Sequence, residues 1–140
     1  WRMCLDLNKL VLFGNPDGTF RTPTIESQKP YLCFVDGIIG GQGNGPMDPD
    51  PLESRCILFG DNPAAVDAAC AVLMGFDVEK IPIVRQAFQT TGFPVSSGNW
   101  SEVQVHSNEP AWKGMLCSLR KSPGLLQVTP HHGWKNHVER

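Results

Sequence analysis

The chain has 140 residues, 41% of them hydrophobic and 19% charged, with a formal net charge of −2. That is one domain's worth of globular chain with a real core, and it excludes disorder. The twelve Lys and Arg are scattered, so there is no basic face for nucleic acid or an anionic membrane, and no apolar run nears the roughly 18 residues that span a bilayer.

Cys4, Cys33, Cys56, Cys70 and Cys117 are odd in number, widely spaced and mostly in apolar company. This suits reduced core thiols better than a disulfide framework or a zinc ribbon. It predicts a soluble chain, cytoplasmic by default, with export of a parent protein left open. The chain opens at Trp1 without an initiator Met or a signal-peptide pattern and is mid-pattern by Leu5, which predicts a piece of something longer.

Residues 3–13 repeat their apolar positions close to the helical period and meet Gly14, so a short helix is expected there. Asn15-Pro16-Asp17-Gly18 reads as a turn, and 21–30, with Pro23 and Pro30, as an irregular connection. Tyr31–Val35 is a continuous apolar run of strand length that delivers Asp36 to a glycine-rich segment. Cys56–Gly60 repeats that character and ends in Asp61. Continuous hydrophobicity predicts burial on both faces, and acids at two strand ends suggest a ligand crevice of the α/β type.

Asn62 can cap and Pro63 can open a helix over 64–74, with Gly75 as its stop. That helix is nearly apolar all round. Asp67 is its one charge, expected to need a partner or a ligand where burial of a lone carboxylate costs several kcal/mol. A packing helix follows from Ile83 to about Thr90, then an alternating strand over 102–106, then a short helix from Glu109 to about Cys117.

The segment from Asp36 to Pro51 reads as a site loop. Gly40, Gly41, Gly43 and Gly45 permit positive φ and close approach of backbone to a ligand, and with Asn44 they are the candidate ligand-binding residues, an anion being one ligand that backbone N–H groups can hold. The loop matches neither a Walker loop nor a dinucleotide fingerprint, because Pro46-Met47-Asp48-Pro49 stands where a helix would begin. The candidate catalytic residues are Asp36, Asp61 and Asp67. The candidate metal ligands are Asp36, Asp48, Asp61 and Asp67, with Asp50 near them, and Mg²⁺ or another divalent cation is the cofactor such oxygens would take. Capping by Asp61 and a satisfied hydrogen bond at Asp67 are the plainer explanations. His131, His132 and His137 are a softer metal-binding candidate, set against a solvated tail with Trp134 docked on the body. No Ser or Cys sits in a nucleophile-elbow context.

The order of these features resembles the uncharacterised prokaryotic family called domain of unknown function 362, some of whose members carry ferredoxin-like iron–sulfur segments. Asp6-Leu7-Asn8, Val35-Asp36-Gly37-Ile38-Ile39-Gly40 with Gly43-Asn44-Gly45-Pro46, Asp61-Asn62-Pro63 with Val66-Asp67-Ala68, Leu73-Met74-Gly75-Phe76 and Pro130-His131-His132-Gly133-Trp134 carry the resemblance. It implies the C-terminal portion of a larger α/β protein. Any iron–sulfur ligands would lie outside this chain, which has no Cys-x-x-Cys run. Gln42 stands where the family often has an acid, which weakens a metal role at that position.

The expectation is one α/β domain over residues 1–140, with a mainly buried, mixed sheet flanked by helices. Its expected function is small-molecule or anion binding, or metal-assisted catalysis, with no nucleic acid and no membrane. The rival is a non-catalytic module that serves a redox partner or the missing N-terminal part.

Overall fold

The helix built around Asn62 and Pro63 organises the molecule. In the computed structural model, which describes residues 1–139, it runs Pro63–Leu73 (α2). Asn62 Oδ1 accepts from the Ala65 amide at 2.9 Å, satisfying one of the donors that a helix start leaves open. Gly75, at φ +88°, turns the chain away after Met74. Three surroundings explain why α2 is apolar nearly all round, Asp67 apart. Ala64 joins Leu5, Leu12, Phe13, Ala87 and Val95 in one core. Ala68, Ala71 and Val72 join Val78, Trp100 and Leu116 in a second. The third side meets a strand pair.

That pair is β1 (Cys33–Gly37) with β4 (Cys56–Gly60), antiparallel, with Phe34 opposite Phe59 and Asp36 opposite Ile57. Gly60 lets the helix close on it: a Cβ there would sit 2.8 Å from Val66 Cγ2. Between them in sequence, β2 (Gly40–Asn44) and β3 (Asp48–Leu52) form a separate antiparallel hairpin, and β5 (Gln104–Val105) pairs with β6 (Gly114–Met115). Helix α1 (Arg2–Phe13) and helix α3 (Pro82–Ala87) pack with α2, and α4 (Leu116–Leu119) closes the second core. The described residues make a single small α/β domain of four helices and short antiparallel strand pairs.

Two expectations change. The strands make three separate two-stranded sheets rather than one mixed sheet. Burial along β1 and β4 alternates, so the side holding Phe34, Ile57 and Phe59 faces outward. The continuous hydrophobicity of these strands therefore exceeds what this chain's own packing uses. No helix of the described residues is long and apolar enough to cross a membrane.

Candidate functional site

Antiparallel pairing decides where the predicted acids go. The ends of β1 and β4 that carry Asp36 and Asp61 point in opposite directions. Asp61, one residue past Gly60, falls level with Leu32, four residues and roughly 13 Å along the strand from Asp36. Asp36 is exposed, and its Oδ1 accepts from the Ile38 amide at 3.2 Å, the local bond of a turn residue. Asp61 and Asp67 stay at the other end, where both act on Cys33. Loss of water raises that thiol's pKa first, and the charges of Asp67 and then Asp61 add to it. Asp36 and Asp61 therefore do not share the crevice expected at the two strand ends.

Asp67 also departs from expectation. It is exposed rather than buried, yet enough protein crowds it that desolvation raises its pKa. It borders a cleft of about 30 Å³ shared with Asn8, Ala64 and Ile83, room for no more than a water or two. Solvent at its rim relieves the cost that was expected to demand a partner. Among the described residues, no three His, Cys, Asp or Glu side chains converge on a metal-sized sphere.

The segment read as a loop is the β2–β3 hairpin. Pro49 and Pro51 face Gly43 and Gly41 and lack N–H groups. Gly43 sends its own amide outward, to Thr129 O at 2.9 Å, so these pairs are of the kind that exchange no backbone hydrogen bonds and the prolines leave none unmade. Gly43 has φ +72° and lies against Asp50, whose Oδ2 would be 3.3 Å from an added Cβ. Gly45-Pro46-Met47 turns the chain through a cis Gly45–Pro46 bond.

The hairpin meets the C-terminal tail. The Thr129 amide donates to Gln42 Oε1 at 3.0 Å, and His132 Nδ1 lies 3.1 Å from Asn44 Oδ1. An amide oxygen only accepts, so Nδ1 is the donor in this contact. The His131 ring lies 4.0 Å from that of His132, centroid to centroid, and its Nδ1 accepts from the Gly133 amide at 3.1 Å. Gln42 stands opposite Asp50 and Asn44 opposite Asp48, which puts these four side chains on one face of the hairpin. Asn44, Asp48, Asp50 and His132 are exposed, so this is an open platform rather than a crevice.

Of the candidate ligand-binding residues, Gly43 and Asn44 bond to the tail directly. Gly40, Gly41 and Gly45 shape the hairpin. Sequence reasoning singled out both the glycine segment and the histidine tail but had no signal that they meet, because the contact spans 88 positions. Gln42, set aside for not being an acid, is an anchor of that contact. His137 and Trp134 are exposed, Trp134 by 52%, so Trp134 docks only in part. A cavity of about 230 Å³ opens beside the tail between Met74, Phe76, Gln127 and Glu139.

The cysteines divide. Cys33, Cys56 and Cys70 lie between β1–β4 and α2 and are part-buried, whereas Cys4 and Cys117 are exposed, and all are free thiols. Cys70 is pushed up to about 11, by burial first and then by Asp67.

A family model described as "Domain of unknown function (DUF362)" matches residues 1–72. That stretch holds α1, the β1–β4 and β2–β3 pairs and most of α2, and the β5–β6 pair and the tail lie beyond it. No curated protein and no solved structure matches the chain.

Proposed function

The chain belongs to the DUF362 family, a domain of unknown function, and we propose that this member binds a small polar ligand on the platform where the glycine hairpin meets the tail. The observation that carries the reading is the pairing of Asn44 with His132, which holds an imidazole on the hairpin face that also carries Asp48 and Asp50. Acceptors dominate that face. It suits a ligand that donates hydrogen bonds or carries positive charge, such as an amine, a polyol or a hydrated divalent cation. An anion is the poorer fit, because the carboxylates repel it and the Gly43 N–H is already given to Thr129 O. Metal-assisted chemistry on this face would draw on Asp48 for a hard oxygen and on His132 Nε2.

Thermal shift against Mg²⁺, Mn²⁺, phosphate, nucleotides, polyols and amines tests the reading. A ligand at 100 times its Kd stabilises by about 2.7 kcal/mol. The shift is expected in a cation, polyol or amine arm and should vanish in Asn44→Ala and His132→Ala. A flat panel, or a shift that survives both substitutions, overturns it.

The second reading, a non-catalytic interaction module serving a redox or assembly partner, is favoured by a different observation. Leu32, Phe34, Ile57 and Phe59 hold between 57% and 69% of their surface in solvent.

A further inference from the structure

We propose that the outward face of β1–β4 is a self-association surface on which a second copy of this chain packs, two-fold and face to face. The inference develops the second reading and is independent of the platform.

Phe34 and Phe59 are directly opposite partners, and the next outward residues are Leu32 on one strand and Ile57 on the other. All four side chains are more than half exposed. With Phe34 and Phe59 at about 200 Å² each and Leu32 and Ile57 somewhat smaller, the exposed fractions present on the order of 500 Å² of apolar surface, the upper end of what a typical monomer shows in one patch. Two copies in contact would bury about 1,000 Å², which reaches the floor for a specific interface. That area fits a weak pair rather than an obligate one. Asp36 shares the face at its end, where it is exposed and bonded locally to Ile38, giving an apolar centre with a polar margin, as interfaces have.

A two-fold axis along the strands sets Phe34 of one copy over Phe59 of the other and the reverse. Aromatic pairs form twice, and the contact closes at two. Packed in this way, the two sheets make a sandwich, and the apolar residues left over by the domain's own core become a second core.

Sedimentation velocity on the full chain from about 1 to 200 µM tests the proposal. The expected result is a concentration-dependent shift from 15.4 kDa towards twice that mass and no further. Phe34→Ser with Phe59→Ser should hold the chain monomeric throughout, with an unchanged far-UV circular dichroism spectrum. If that variant misfolds, Phe59→Lys alone replaces it. Met3→Ser with Leu7→Ser, on the exposed side of α1, should leave the dimer intact. A wild-type chain that stays monomeric to 200 µM overturns the proposal, as does association that grows past two copies or persists in the Phe59 variants. A failed dimer with a positive ligand panel leaves the platform reading standing, and a flat panel with a dimer leaves this one.

Discussion

The His132 ring is held by Asn44 at 3.1 Å, and this contact, with the Gln42 and Gly43 bonds to Thr129, ties a hairpin to a tail that has little other hold on it. Because both side chains are exposed, Asn44→Ala should cost only about 0.5 kcal/mol of global stability. The local effect should be larger. Hydrogen exchange of the Gly43 amide should quicken several-fold in Asn44→Ala and in His132→Ala. Unchanged protection at Gly43 would show that the side-chain contact does not hold the tail in place.

Gly60 sits where α2 presses close on the sheet. Adding one carbon there brings it to 2.8 Å from Val66 Cγ2, so Gly60→Ala should destabilise by about 1–3 kcal/mol through overpacking. Urea denaturation would measure it. Val66→Ala in the same chain opens the space again, so the double variant should lose less than the sum of the singles. Strict additivity would count against the contact.

Asp67 gives a pH dependence of known sign. Its folded-state pKa is raised above the ordinary 3.8 by desolvation, so between those two values the folded chain holds more protons than the unfolded one. Stability therefore falls as pH rises through that window and stays lower above it. Asp67→Asn should be the more stable protein at pH 7, by on the order of a few tenths of a kcal/mol because solvent screens this exposed site. The gap should close below pH 3.8. Melting curves from pH 3 to 7 would check this, and a variant less stable at neutral pH would mean that the carboxylate is bonded after all.

Thiol chemistry should separate the cysteines. At pH 8, Cys4 and Cys117 are exposed and should react with an alkylating reagent first. Cys70, raised to about 11 and part-buried, should react last, since the thiolate is the reactive form. Mass spectrometry of timed alkylation would give the order. Early labelling of Cys70 would place α2 differently over the sheet.

Local signals in the sequence located the elements around α2, whereas the helix expected from Glu109 to Cys117 is a 3-10 turn, the strand β6 and only then α4. The Asn62-Pro63 cap, the Gly75 stop and the strand Cys56–Gly60 appear as expected, because capping, helix termination and strand hydrophobicity act over a few residues. Pairing direction was not legible. Continuous apolar strands suggested burial on both faces and a crevice at the two strand ends, and only the antiparallel register separates Asp36 from Asp61. The hairpin at 40–52 hid behind Pro49 and Pro51, which count against a strand unless the missing N–H groups point away from the partner. The platform itself could not be read, because nothing near Asn44 in sequence announces His132.

The tail is fastened on both sides of the stretch that grips the hairpin. Upstream, the Leu126 and Val128 amides donate to Leu73 and Met74 carbonyls, and downstream the Asp77 amide donates to Val138 O, with Leu125 and Val138 buried as the two pegs. A protease that nicked the exposed turn at Gly133 or Trp134 would therefore cut between two anchored ends, and His132 would stay on the piece that Leu126, Val128 and Thr129 hold to the helix and the hairpin.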